Sequence, residues 1–85
     1  METVKPNELP EVFSRNLKAA RQRAGMSQRK LAEITGCSFA SVCRWETGRE
    51  SPNLTTIVKL AEGLQVPPEA LLTNFGFEML QPISA

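Results

Sequence analysis

The stretch SQRKLAEITGCSFASVCRWETG, residues 27–48, decides the fold. Ser27 is a good N-cap, because a serine hydroxyl accepts from a backbone N–H that the first turn of a helix leaves unpaired. The short helix that it opens carries Leu31, Ala32 and Ile34 inward and ends at Gly36, the residue type that tolerates a left-handed C-cap. Ser38 caps a second short helix, which runs to about Thr47 and is closed by Gly48. The spacing predicts two brief helices around one glycine turn.

Such a pair is a helix-turn-helix, in which the second helix can lie in the major groove of DNA. A helical wheel over residues 38–47, stepped by about 100° per residue from Val42, gives each side chain a direction. Val42 and Trp45 fall on the inner side. Ala40, Cys43, Arg44 and Thr47 fall between about 100° and 200°, a face within this helix that has one long side chain and no acid. Glu46, near +40° by the same count, points toward the core and needs a buried or half-buried cationic partner. Phe39, near +60°, lies at the border between the two sides.

Working outward, Pro10 opens a helix over residues 10–24 in which Phe13, Leu17, Ala20 and Ala24 recur at helical spacing until Gly25. On the other side, Asn53 after Pro52 caps a helix with Leu54, Ile57, Val58, Ala61 and Leu64 on one stripe. Pro67 and Pro68 begin a short fifth helix over Glu69 to Leu72. The expected architecture is all-α with five helices. Residues 1–9 read as a flexible leader, residues 10–72 as the folded domain, and residues 73–85 as an apolar tail with Phe75, Phe77, Met79, Leu80 and Ile83. The tail reads as a dimerisation or partner segment, with packing back on its own domain as the rival.

Eighty-five residues with 41% hydrophobic and 22% charged side chains suit one small globular domain. The chain has no His, Asp or Tyr, which removes Ser-His-Asp and Cys-His catalysis, an imidazole base and a His-ligated metal. Cys37 and Cys43 cannot complete a tetrahedral zinc site without His, and read as reduced thiols rather than a disulfide. No catalytic residue, cofactor, metal or small-molecule ligand is expected. No apolar run approaches the roughly 20 residues of a membrane span, and the expected location is cytoplasmic. The net charge of +1 conceals a division. Residues 15–49 hold eight basic side chains against Glu33 and Glu46, while the rest of the chain holds Lys5 and Lys59 against seven glutamates. A basic segment of this kind suits a polyanion such as nucleic acid.

Gly25-Met26-Ser27-Gln28, Leu31-Ala32-Glu33, Gly36-Cys37-Ser38, Val42, Arg44-Trp45-Glu46-Thr47-Gly48, Pro52-Asn53-Leu54 and Leu60-Ala61 together resemble the phage Cro/repressor-type helix-turn-helix family, also called XRE-like. The resemblance covers roughly residues 13–72. It implies a five-helix, lambda-repressor-like domain that binds operator DNA, commonly as a homodimer. It further implies that Gln28 contacts the phosphate backbone and an outer base, that Arg44 reads a base, and that Arg21 and Glu46 form a structural ion pair. Leu31, Val42 and Trp45 are then structural. A guanidinium at Arg44 can donate two hydrogen bonds to guanine O6 and N7.

Phe39 and Ala40 depart from the polar residues usual in the family at the start of this helix. They can pack on thymine methyl groups, which predicts a T-rich element, while a staple against the preceding helix is the equal alternative for Phe39. Cys43 faces the same side and is counted with Phe39, Ala40, Arg44 and Gln28 among the candidates for base contact. Cys37 is expected in the core. Ser38, Ser41, Thr47, Arg49 and Asn53 are candidates for contacts to phosphates, which position a protein without reading sequence.

The sequence thus predicts a sequence-specific DNA-binding transcriptional regulator, a repressor acting on double-stranded DNA as a homodimer at a palindromic operator. Two alternatives stand beside it. One is an antitoxin that autoregulates its operon and holds a toxin through its tail, or a regulator with an antirepressor partner. The other is a protein-interaction module with a degenerate DNA face.

Overall fold

In the computed structural model, which describes residues 4–74, the local signals set the ends of the helices. Helix α1 spans Leu9–Arg23, α2 Gln28–Thr35, α3 Phe39–Glu46 and α4 Leu54–Leu64. Ser27, Ser38 and Asn53 each accept from the backbone N–H three residues on, at Lys30, Ser41 and Thr56. Gly36 adopts φ 72°, and the N–H of Cys37 then reaches the Ala32 carbonyl at 3.0 Å, closing α2 with a Schellman turn. Gln65 closes α4 in the same left-handed region at φ 58°, without being glycine.

Each element contributes to a single core. Phe13 and Leu17 from α1, Leu31 from α2, Val42 from α3, Leu60 from α4 and Leu71 beyond it are fully buried. Each such side chain contributes roughly 1.5–3 kcal/mol by leaving water. Helix α3 lies against both α1 and α2, and α4 supports α2 from behind. The pair α2–α3 is thereby backed by α1 and α4.

The expected five-helix count is corrected: among the described residues there are four α-helices and no strand, and the fifth element is a 3-10 helix over Pro68–Leu71. Proline lacks a donor N–H, so two consecutive prolines favour a single tight turn closed by Ala70 N–H to the Pro67 carbonyl at 2.9 Å. The turn still buries Ala70 and Leu71.

Three residues expected inside point outward: Ile34 is 41% exposed, Leu54 78% and Val58 44%. The buried stripe of α4 runs instead through Ile57, Leu60, Ala61 and Leu64, at i, i+3, i+4 and i+7. Gly63 lets the end of α2 approach closely. A Cβ there would lie 3.0 Å from Thr35 Cγ2 and 3.3 Å from Ile34 Cδ1, so Ile34 rests on the seam between helices rather than in the core.

Of the leader, residues 6–8 form a turn into α1, stabilised by Lys5 N–H donating to Glu8 Oε1 at 3.2 Å. Of the tail, the Thr73 carbonyl accepts from buried Asn16 Nδ2 at 2.8 Å, and Asn74 Oδ1 accepts from Arg15 Nη2 at 3.3 Å. Residues 1–3 and 75–85 lie outside the described residues, and with them the apolar positions Phe75, Phe77, Met79, Leu80 and Ile83 and the roles expected of that tail.

Candidate nucleic-acid interface

Helix α3 is set by its inner face. Val42 is 0% exposed and Trp45 7%, which leaves Phe39, Ala40, Arg44 and Thr47 at the surface and Ser41 and Cys43 half-buried. The wheel from the sequence therefore describes the observed orientation. The outward side of α3 carries Phe39, Ala40, Arg44 and Thr47, with Ser41 and Cys43 at its margins, and a single helix of this kind fits a groove about 12 Å wide.

Beneath that face lies a polar hub. The Glu46 side chain is 2% exposed, and its carboxylate accepts from Arg21 Nε at 2.6 Å, Arg21 Nη2 at 3.0 Å and Gln28 Nε2 at 3.0 Å. Arg21 Nη1 donates to the Met26 carbonyl at 2.8 Å, and Ser14 Oγ donates to the Glu46 carbonyl at 2.6 Å. The bond to Glu46 holds the Arg21 proton and raises its pKa above the ordinary arginine value, against the opposing effect of burial. The cationic partner that Glu46 requires is thus Arg21, bound through two donors of its fork.

Gln28 leads from this hub toward the surface. Its amide nitrogen is on Glu46 while its carbonyl oxygen accepts from the Cys43 thiol at 3.4 Å, so one side chain ties α2 to α3. Cys43 is accordingly not fully outward. Cys37 is half-buried against the core, with its thiol 3.8 Å from the Thr35 carbonyl. Both cysteines are free thiols.

Arg44 stands at the exposed centre of α3. Its Nε donates to Glu50 Oε1 at 3.1 Å and its Nη2 to Ser41 Oγ at 3.4 Å. The expectation of an acid-free face holds for the helix alone and is corrected for the assembled surface. The N–H of Arg49 bonds back to the Arg44 carbonyl at 3.1 Å, and that turn returns the chain so that Glu50 reaches Arg44.

The remaining candidates divide by what occupies them. Ser38 Oγ caps α3 and donates to Ser41 Oγ at 2.8 Å, Thr47 Oγ1 is 3.1 Å from the Cys43 and Arg44 carbonyls, and Asn53 Oδ1 caps α4. Arg49 is exposed on the turn. Phe39 is 38% exposed, and the Arg29 guanidinium sits over its ring, 4.2 Å from the centroid. This stacking brings a cation to the start of α3.

Sequence reasoning missed Arg29, Glu50 and Ser14. Only Arg29 carried a usable signal, as a cation in the first turn of the helix before Phe39. Among the described residues no group of three or more Cys or Glu side chains could hold a metal ion, and no helix is long and apolar enough to cross a membrane.

A family model described as helix-turn-helix matches residues 17–71. The chain is 37% identical over 68 residues to the HTH-type transcriptional repressor RghR of Bacillus subtilis (strain 168), covering 79% of this chain and 50% of RghR. It is 42% identical over 59 residues to the HTH-type transcriptional regulator SutR of Escherichia coli (strain K12), covering 69% of this chain and 33% of SutR. A third relative, the SPbeta prophage-derived HTH-type transcriptional regulator YonR of Bacillus subtilis (strain 168), is 33% identical over 61 residues, with 72% of this chain and 56% of YonR covered. The chain thus spans between a third and just over half of the length of these relatives.

Proposed function

The chain belongs to the Cro/repressor-type helix-turn-helix family, and on that premise we propose that it is a sequence-specific DNA-binding transcriptional regulator. In this reading it is a repressor that binds a palindromic operator as a homodimer, with two copies of α3 in successive major grooves about 34 Å apart. One observation carries the reading. Helix α3 is clamped by Val42 and Trp45 within a hydrogen-bonded core while its opposite side presents Ala40, Arg44 and Thr47 to solvent.

Each exposed group then has a chemical role. The Arg44 guanidinium donates to guanine O6 and N7, and Ala40 with the open edge of Phe39 packs on thymine methyl groups. Gln28, Ser38, Ser41, Thr47, Arg49 and Asn53 rim the helix and suit phosphate oxygens, which fix register without reading sequence. Arg29, held over Phe39, adds a cation to that rim. The names of RghR and SutR, a transcriptional repressor and a transcriptional regulator, support the same use of the fold.

The test is selection of bound duplexes from a random pool by the full chain, followed by titration across salt concentrations. The expected result is an enriched, two-fold symmetric site whose affinity falls steeply with salt as counterions are released. A pool that returns no enriched sequence would sink the proposal.

A further inference from the structure

We infer that Glu50 is a positioning residue for base reading: it holds the Arg44 guanidinium by its side edge, so that the terminal edge is presented to a guanine. The inference rests on the reading of α3 as the helix that enters DNA.

A guanidinium has two donor edges in a rigid plane, one formed by Nε and Nη2 and the other by the two terminal nitrogens. Glu50 Oε1 and Ser41 Oγ take the first edge, at 3.1 Å and 3.4 Å. Among the described residues no partner occupies Nη1 of Arg44, and the end of the fork is left for the two acceptors of guanine. Ser41 is itself held. Its hydroxyl accepts from Ser38 Oγ at 2.8 Å, and its N–H donates to the same oxygen at 3.0 Å. The arginine is therefore braced along that single edge, at Nη2 by a capped helix start and at Nε by a carboxylate from the turn after α3.

Glu50 also acts on DNA that Arg44 does not recognise. Its side chain is 49% exposed and that of Arg44 46%, so the carboxylate faces any polyanion that approaches α3. On a random duplex it partly neutralises Arg44 and repels phosphates. On the correct site it orders a long side chain that would otherwise lose rotamer freedom on binding. One acid thus weakens non-specific binding while sharpening specific binding, which is discrimination by an unfavourable element.

The experiment compares the full chain with its Glu50→Gln and Glu50→Ala variants. The duplexes are the site selected from a random pool, the same site with the Arg44-sensed G·C pair changed to A·T, and a random-sequence duplex. That pair is identified as the one whose change the Arg44→Ala variant no longer feels. Both Glu50 variants should bind random duplex more tightly, while their preference for G·C over A·T falls by up to about fivefold, the scale of an exposed ion pair. The loss of preference should vanish in the Arg44→Ala background. An unchanged ratio with all affinities raised would leave Glu50 a mere repulsive charge and overturn the inference, as would a lost preference that persists without Arg44. A lowered melting temperature in either variant would assign Glu50 to the fold and overturn it too. A wild-type chain that enriches no site overturns the regulator reading itself, and this inference with it.

Discussion

Replacing Arg21 with Met tests whether the polar hub beneath α3 is held by its ion pair. In the native chain three hydrogen bonds converge on a carboxylate that is 2% exposed, and two of them come from Arg21. Met retains much of the aliphatic volume and removes the charge, leaving Glu46 with Gln28 alone and the Met26 carbonyl without its donor. Breaking a buried pair from one side costs about 3–5 kcal/mol, because the remaining charge stays buried without compensation. Arg21 is itself 12% exposed, so water can reach the vacated side, and the lower end, about 3 kcal/mol, is expected. A chain of this size has about 4–13 kcal/mol in total, so the variant forfeits a large fraction of its stability. Urea unfolding followed by circular dichroism should show the midpoint falling with an unchanged slope. The double variant Arg21→Met/Glu46→Leu removes both charges, and the bond from Ser14 survives because it goes to the backbone of residue 46. Its stability should return to within about 1 kcal/mol of the wild type or exceed it. A single variant that costs less than about 1 kcal/mol, or a double variant as unstable as the single one, would refute the reasoning.

Arg44→Ala should cost about 1–3 kcal/mol on the selected site and relax preference at one base pair, whereas Arg49→Ala should weaken all duplexes alike; titration against single-pair variants of the site separates the two, and equal losses for Arg44 would remove its base-reading role. Gly36→Ala should destabilise by about 1 kcal/mol, because φ 72° strains a side chain even though no atom lies within 4 Å, and Gln65→Gly should stabilise by a smaller amount at the matching end of α4; thermal melts would read both signs. Stability should be flat from about pH 5.5 to 7, since the chain lacks His, the side chain that ordinarily changes charge there. Arg21 adds no slope in that range: the bond to Glu46 raises its folded pKa above the ordinary arginine value, so its contribution is fully present throughout this window and is lost only in strong alkali. A urea midpoint that moves across this window would point to a titrating group outside this account.

How much was legible in the sequence follows the range of the physics involved. Ser27, Ser38 and Asn53 were readable as caps because a cap bonds to an N–H three residues away, within the same short stretch. The inward turn of Val42 and Trp45 was readable from one helical wheel, and the demand of Glu46 for a cation followed from its place on that wheel. Which apolar residues of α2 and α4 face the core was not readable in the same way. Both helices carry more apolar residues than one stripe can bury, and the choice falls to neighbours. Gly63 brings the helices together, Leu60 takes the centre, and Ile34, Leu54 and Val58 are left outside. The interface shows the same limit, since Phe39 meets Arg29 and Arg44 meets Glu50 only after the turns at Gly36 and Gly48 have folded back.

Glu46 joins the two scales. A buried carboxylate is a poor source of stability, because desolvation offsets much of what its hydrogen bonds contribute, and an apolar replacement for the pair would hold the core at least as well. What an apolar pair cannot do is orient Gln28. The carboxylate only accepts, so it fixes the amide nitrogen of Gln28 inward and turns the amide oxygen to the Cys43 thiol on α3. The position of Gln28 relative to α3 is thereby set by a group that lies beneath both. Arg21, 12% exposed in α1, acts on the outer surface through this chain of contacts, by holding the Glu46 carboxylate in place with two donors. The buried pair and the exposed face are consequently one construction: the ion pair specifies how α2 and α3 present their side chains, at some cost in the stability that a greasy core would have supplied.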